Sequence, residues 1–219
     1  MEKLVVDGLG KQYGDTWALR DVTFSCTEGV VGLLGPNGAG KSTLMRILTT
    51  FQQPTEGSVH WNGVDVTSEP DAIRTELGYL PQEFGVYPNL TAEEFLEYLA
   101  GIRGIADAED RIVVLSTHIV SDIEEAATEI ALLSGGELLL QDRPAALLDR
   151  AAGAVWEWNV SDSELPAVKR DYTVSGARRT RDGVLARIVS KEAPSPDAKQ
   201  VEPTLEDAYL QITNGGDRT

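Results

Sequence analysis

The residues best suited to chemistry in this chain run from Gly35 to Thr43 and fit the pattern G-x-x-x-x-G-K-[ST]. Glycines in such a loop allow backbone turns that a Cβ would block, so that successive N–H groups point at one anion. Lys41 is placed to reach the β and γ phosphates of a nucleotide, and the Ser42 hydroxyl is placed to ligate Mg²⁺. The pattern therefore predicts a phosphate-binding loop.

A strand and a helix must hold that loop in place. Val30–Leu34 predicts a buried strand, and Thr43–Thr50 predicts a helix that starts at the loop. In this order the N-terminus of the helix faces the anion and adds its own N–H groups. The alternative is a glycine-rich turn that binds nothing, and it requires the spacing, the lysine and the serine all to be coincidental.

Tyr13 is the next residue whose chemistry suits a nucleotide. Leu4–Leu9 and Trp17–Phe24 predict two strands around a polar turn, Gly10–Asp15, which contains Tyr13. An aromatic ring on a loop before a phosphate-binding strand can stack on adenine. It can equally pack on Trp17 within the hairpin, and the residues alone leave both alternatives open.

The composition excludes several classes of protein and site. The chain has 219 residues, of which 42% are hydrophobic, and its single cysteine, Cys26, rules out an internal disulfide. Without a Cys/His cluster a zinc site is unexpected. The formal net charge of -16 argues against a nucleic-acid partner, because phosphate backbones select clustered Lys and Arg. No apolar run spans a bilayer and Met1–Gly10 lacks the order of a signal peptide, so we expect a cytoplasmic protein unless a partner holds it at a membrane.

Four segments taken together resemble those of one protein family. In chain order they are Tyr13, Gly35–Thr43, Pro81–Gln82 and Leu115–His118. They follow the order of the adenine-stacking loop, Walker A loop, Q-loop and His switch of ABC transporter ATP-binding subunits, and the chain looks most like the subunits of ABC-2-type exporters. The resemblance covers Met1 to about Ile105 and about Arg111 to Gln141.

The resemblance implies an α/β fold. The expected parts are a P-loop NTPase core of the ABC ATPase type, an antiparallel β subdomain, a truncated helical subdomain that contains the Thr91 helix, and a small α+β C-terminal extension. We expect the nucleotide-binding domain to span residues 1–143, internally shortened near 104–111, and the extension to span residues 144–219.

The resemblance also implies roles for single residues. Gln82 would sense Mg²⁺ and the attacking water, and His118 would contact the γ-phosphate, where phosphoryl transfer needs hydrogen-bonding and cationic groups. Ser42 and Gln82 would hold Mg²⁺. The residues implied to bind ATP are Tyr13, Gly35, Pro36, Asn37, Gly38, Ala39, Gly40, Lys41, Ser42 and Thr43.

As a member of that family, the chain would be the ATP-binding subunit of an exporter, cytoplasmic and held at the inner face of the cell membrane by a transmembrane permease subunit. Family members close as head-to-tail dimers in which the signature loop of each covers the ATP of the other. This chain has no signature loop in the family's position, but a complete ATP-binding paralogue could supply one to the ATP held here, which leaves a heterodimer open.

The chain departs from the family between the Thr91 helix and the predicted Ile112–Leu115 strand, where only Gly101–Arg111 remains. The LSGGQ signature, the Walker B strand with its Asp, the catalytic Glu and the D-loop belong there, and the sequence has none of them. We therefore expect ATP binding with impaired hydrolysis. Two alternatives stay open: a regulator that binds ATP without turning it over, and the non-functional product of an internally deleted gene.

No substitute for the lost motifs is convincing. Leu133–Glu137 spells a signature-like string, but apolar runs on both sides predict a β-hairpin with a Gly-Gly turn. Glu109 and Asp110 follow no apolar strand, and Glu124 belongs to the solvated face of a helix.

Three further predictions concern the architecture. Without a Walker B strand between them, Leu77–Leu80 and Ile112–Leu115 are expected to pair directly. Arg178, Arg179 and Arg181 are interpreted as a solvated hairpin turn in the extension, in preference to a site for an anion or a lipid. Pro203–Thr213 predicts the last helix of the extension.

Overall fold

The computed structural model describes residues 3–74, 77, 112–116, 124, 127–181 and 183–215 of the chain. Gln82, His118, the Thr91 helix and all of Leu77–Leu80 except Leu77 lie outside these ranges. The described chain forms two compact units. The first takes its residues from 1–31, 37–114 and 135–138, and the second from 32–36, 115–134 and 139–219.

Strands outnumber helices among these residues. In chain order the elements are β1 (Leu4–Tyr13), β2 (Thr16–Cys26), β3 (Gly29–Leu34), α1 (Lys41–Leu48), β4 (Glu56–Trp61), β5 (Val64–Asp65), α2 (Asp71–Arg74), β6 (Ile112–Ser116), β7 (Glu129–Ser134), β8 (Glu137–Asp142), α3 (Pro144–Ala151), β9 (Val155–Val160), α4 (Leu165–Asp171), β10 (Thr173–Thr180), β11 (Gly183–Val189), β12 (Lys199–Gln200) and α5 (Leu205–Gly215).

An antiparallel sheet in the order β2-β1-β4-β5 dominates the first unit. Its strands β1 and β2 are longer than predicted, and the turn between them is reduced to Gly14 and Asp15. Tyr13 is therefore the last residue of a strand, and its predicted place within a turn was wrong. The prediction failed at Gly10, which lies inside β1 because it pairs with Glu56 and its carbonyl accepts the N–H of Thr55 at 2.8 Å.

The strand and the helix predicted around the phosphate-binding loop are confirmed. β3 buries its last four residues, Val31–Leu34. α1 begins at Lys41, two residues before the predicted Thr43, and buries Leu44, Ile47 and Leu48. One face of α1 is thus anchored in the core, which fixes the end of the loop.

A second sheet has the order β6-β3-β7-β8. β6 confirms the predicted strand Ile112–Leu115 and extends it by one residue, to Ser116. Its predicted pairing with Leu77–Leu80 stays a prediction, because only Leu77 of that segment is described. The neighbour that the structure shows for β6 is β3.

The third sheet, in the order β10-β11-β9-β12, is antiparallel throughout. The predicted hairpin is confirmed, but β10 continues to Thr180, so Arg178 and Arg179 lie on a strand and only Arg181 lies in the turn. The prediction of an arginine-rich turn was thus wrong for two of its three residues. The end of β10 is exposed on both faces and has no apolar alternation that would reveal a strand.

Two apolar clusters fill the core of the second unit. The first consists of Leu34, Ile130, Leu132, Leu147, Ala151, Val155, Leu205 and Ala208. The second consists of Val160, Val168, Val184, Ala186 and Ile188. The helices α3 and α5 thus share a core with β3, the strand that leads into the phosphate-binding loop. A domain boundary after residue 143 stays a prediction.

The helices are short. α5 confirms the helix predicted over Pro203–Thr213, with the bounds Leu205–Gly215. In the part of the chain that the structure describes, no helix combines the length and the apolarity needed to cross a bilayer.

Candidate functional site

The loop between β3 and α1 has the backbone geometry that a phosphate cradle requires. Gly38 and Gly40 have left-handed φ angles of 84° and 102°. Gly40 also precedes α1 as its N-cap, and a Cβ there would lie 2.6 Å from both the Ala18 carbonyl oxygen and Leu19 Cδ2. Only glycine both adopts a left-handed φ angle readily and has no Cβ to meet these atoms. The chain path at the start of α1 therefore depends on Gly40.

The tip of the loop is open to solvent. Pro36, Asn37 and Gly38 are exposed, whereas Ala39 is buried and anchors the loop. The first turn of α1 has no acidic residue, so no carboxylate of its own competes with an anion at the helix N-terminus. Ser42 is exposed on that first turn. A hydroxyl in this place suits a hydrated Mg²⁺, which retains several of its waters when bound.

Lys41 is the first residue of α1 and is partly buried. Burial removes water from its ammonium group and lowers the pKa of Lys41 from the ordinary value of 10.5. A partly desolvated cation is attracted to a polyanion more strongly than one in bulk water, because the effective dielectric constant is lower. The position of Lys41 thus suits a bound di- or triphosphate.

Tyr13 ends β1 with 45% of its surface exposed. Its hydroxyl donates to Gln52 Oε1 at 2.7 Å, and the Lys11 ammonium lies 5.5 Å from the centre of its ring. The ring of Trp17 lies next to a different cation: the guanidinium carbon of Arg20 is 5.9 Å from the centre of the ring. Neither Lys11 nor Gln52 was singled out in the sequence. Lys11 is two residues before Tyr13 on one strand, whereas nothing local connects Tyr13 with Gln52.

The two predicted catalytic residues, Gln82 and His118, lie outside the described residues. The strand that leads to His118 is nevertheless described. β6 ends at Ser116 and is the neighbour of β3, which ends at Leu34 immediately before the loop. The predicted roles of His118 and Gln82 stay predictions.

The signature-like string Leu133–Glu137 is a hairpin, as predicted. Gly135 and Gly136 form a two-residue turn between β7 and β8, with φ angles of 58° and 88°. Such angles at both turn residues are those of a type I′ turn. The Gly136 carbonyl accepts the N–H of Arg20 at 2.8 Å, which fixes the turn on β2. This string opens no helix, so it has no helix N-terminus to direct at a phosphate.

Of the three acidic residues considered as substitutes, the structure describes only Glu124. Glu124 is exposed, and Glu109 and Asp110 lie outside the described residues. Over the described ranges, no three His, Cys, Asp or Glu side chains are grouped closely enough to hold a metal ion.

The sequence matches one family model. That model is described as "ABC transporter" and matches residues 19–150. The probable multidrug ABC transporter ATP-binding protein YbhF of Escherichia coli is 25% identical over 243 residues, with 96% of this chain and 41% of YbhF covered. The daunorubicin resistance ATP-binding protein DrrA3 of Streptomyces coeruleorubidus is 33% identical over 175 residues, with 70% of this chain and 54% of DrrA3 covered. The chain thus spans about 41% of the length of YbhF.

The coordinates resemble solved ATP-binding cassettes. A dimeric post-hydrolysis state of the cassette MJ0796 bound to ADP and Pi superposes with a TM-score of 0.51 at 19% identity, and covers 64% of this chain and 98% of the cassette. At this identity the likeness concerns the fold alone.

Proposed function

The chain belongs to the ABC transporter family, and from that membership we propose that it is the ATP-binding subunit of an exporter, able to bind ATP but impaired in its hydrolysis. Its fold is the α/β P-loop fold of ABC ATP-binding cassettes. The names of YbhF and DrrA3 refer to multidrug transport and to daunorubicin resistance, which supports the exporter class.

The observation that carries the proposed ATP binding is the backbone of the loop Gly35–Thr43. Left-handed Gly38 and Gly40 leave the tip open and lead directly into α1, and Lys41 stands at the junction. Backbone amides, a helix N-terminus and a partly desolvated ammonium are the groups that stabilise a triphosphate.

Mg²⁺ is the cofactor that we propose to accompany ATP. The exposed hydroxyl of Ser42 is one protein ligand, and Gln82 is the other implied by the family. Mg²⁺ prefers oxygen ligands and is usually held by few protein groups together with phosphate oxygens and water. When bound, the ion neutralises charge that develops on the phosphates.

Impaired hydrolysis follows from what the sequence lacks. A base that orients water and an Asp that anchors the metal shell are both absent from the family's positions. Each positioned group of this kind contributes a factor of about 10² to 10⁴ to the rate. We therefore expect turnover near background.

For partners, we propose a transmembrane permease, which would hold the chain at the inner face of the cell membrane, and a complete ATP-binding paralogue. The MJ0796 cassette with ADP and Pi is dimeric, which supports pairing of cassettes. This chain offers a phosphate-binding loop without a signature loop. A paralogue with an intact signature would cover the ATP held by this chain, and a heterodimer is therefore the assembly proposed.

The test is to measure MgATP binding by calorimetry and phosphate release on the same preparation of the purified full chain. We expect binding without turnover above background. Lys41→Ala should abolish binding, because it removes the cation at the loop. Lys199→Ala is the matched control, since Lys199 is exposed on β12, and it should bind ATP like the parent chain. A parent chain that fails to bind ATP would refute the proposal.

A further inference from the structure

We propose that Gln52 and Lys11 are positioning residues for Tyr13, which hold its ring ready for the adenine base and so set how much the base adds to nucleotide affinity. This inference rests on the proposed ATP site. It assigns positioning roles to two residues of the first unit that lie outside the phosphate-binding loop.

The first support is the hydrogen bond between Tyr13 and Gln52. The Tyr13 hydroxyl donates to Gln52 Oε1 at 2.7 Å, the usual distance for a good O–H···O bond. A tyrosine that is 45% exposed would otherwise move among rotamers and would lose that freedom when a base stacked on it. Holding the ring beforehand removes this entropic cost of binding.

The second support is the position of Lys11. Its ammonium lies 5.5 Å from the centre of the Tyr13 ring and donates to the Gln53 carbonyl oxygen at 2.8 Å. The hydrogen bond to Gln53 thus holds the ammonium in place while the ammonium interacts with the ring. A ring has two faces, and an ammonium on one of them leaves the other for a base.

The third support is the rigidity of the turn that carries Gln52. The Gln52 N–H donates to the Arg46 carbonyl at 3.1 Å, and Thr50, two residues earlier, has a left-handed φ of 58°. This conformation is rare for a β-branched residue and has to be imposed by its surroundings. Arg74 Nε donates to Thr50 Oγ1 at 2.8 Å, and this bond helps to hold Thr50 in its left-handed conformation. Gln52 is therefore presented by a fixed turn.

One helix connects the two parts of the proposed site. The phosphate-binding loop ends at the N-terminus of α1, and the turn with Gln52 follows its C-terminus. With eight residues α1 is about 12 Å long. A bond between Tyr13 and Gln52 that serves only the fold would not distinguish ligands with a base from ligands without one. Residues that position the ring for a base do distinguish ligands with a base from ligands without one, and the experiment uses this difference.

The experiment compares MgATP with Mg²⁺-tripolyphosphate, which has the phosphates and no base, by calorimetry on the full chain. Gln52→Ala and Tyr13→Phe should each weaken ATP binding about fivefold, the usual value of one neutral hydrogen bond. The double variant should be no weaker than either single one, since both remove the same bond. Lys11→Met should also weaken ATP binding more than tripolyphosphate binding. Gln200→Ala, at an exposed glutamine on β12, is the control and should match the parent chain.

The outcomes separate this inference from the proposed function. Tripolyphosphate affinity that is unchanged in Gln52→Ala, together with weaker ATP binding, supports the positioning role. ATP binding that is unaffected by Gln52→Ala, or an equal loss for both ligands, overturns the inference and leaves the ATP site standing. A parent chain that binds tripolyphosphate as tightly as ATP overturns it as well. A parent chain that binds neither ligand refutes the proposed function and this inference together.

Discussion

The guanidinium of Arg187 lies 2.8 Å from the fully buried carboxylate of Asp207 and so ties β11 to α5. Thr204 adds its N–H and its hydroxyl to the same carboxylate oxygen, both at 2.8 Å. Burial alone would raise the pKa of Asp207. The hydrogen bonds from Arg187 and Thr204 prevail and lower that pKa from the ordinary value of 3.8. Asp207 is thus held ionised inside the second unit.

Asp207→Asn should lower the free energy of unfolding by about 3 kcal/mol, because it leaves the largely buried Arg187 without its main counter-charge. Urea unfolding at pH 7 measures this. The control is Asp162→Asn, since Asp162 pairs with Arg179 at 3.7 Å and both side chains are mostly exposed. That change should stay within about 0.5 kcal/mol. Equal effects of the two substitutions would contradict the structural role of Asp207.

The same pair predicts a pH dependence. Because the pKa of Asp207 is lower in the folded than in the unfolded chain, its contribution is complete above pH 3.8 and is lost as the pH falls through the folded-state pKa. The difference in unfolding free energy between the parent chain and Asp207→Asn should be constant from about pH 7 to 5 and shrink below about pH 4. A difference that grows as the pH falls from 7 toward 4 would show that the folded-state pKa is raised instead.

Gly40→Ala should abolish ATP binding and destabilise the first unit by about 1–3 kcal/mol, since the new Cβ meets a strained φ of 102° and two atoms at 2.6 Å. Calorimetry and thermal unfolding measure the two effects. Gly135→Ala is the control, because Gly135 has a φ of 58° and open space around its Cβ position. It should cost about 1–2 kcal/mol and leave ATP binding intact. Normal ATP affinity in Gly40→Ala would mean that the loop is not the phosphate site.

His118→Ala should leave phosphate release unchanged at background, because a side chain that assists an absent reaction has nothing to assist. His60, the other histidine of the chain, lies on β4 and is the control. Turnover typical of the family that is lost in His118→Ala but kept in His60→Ala would contradict impaired hydrolysis. One of the carboxylates Glu109, Asp110 and Glu124 would then occupy the catalytic position.

ATP alone should not drive the chain into a stable homodimer, since each copy brings a phosphate-binding loop and neither brings a signature loop to cover it. Analytical ultracentrifugation at micromolar concentration, with and without MgATP, measures the oligomeric state. ATP-dependent dimers that also form with Lys41→Ala would point to an interface unrelated to nucleotide. Dimers that require Lys41 would refute the prediction.

Local patterns made part of this fold predictable. The loop and its flanking elements could be predicted because their spacing is fixed, and the Gly135–Gly136 hairpin could be predicted because its turn type needs two left-handed residues. The bonds Tyr13–Gln52 and Arg187–Asp207 could not be predicted, since no local rule connects residues so far apart in the chain. The spacing of Thr204 and Asp207 does resemble a capping box, which is a signal for the bonds between those two residues but not for the bond to Arg187.

The core that joins Leu34 to Leu205 and Ala208 has a consequence for synthesis of the chain. The ribosome adds about 5–20 residues per second, so Leu34 emerges on the order of ten seconds or more before α5. Until then the strand that leads into the phosphate-binding loop lacks part of its apolar cover. That strand therefore completes its apolar packing only after α5 has been synthesised.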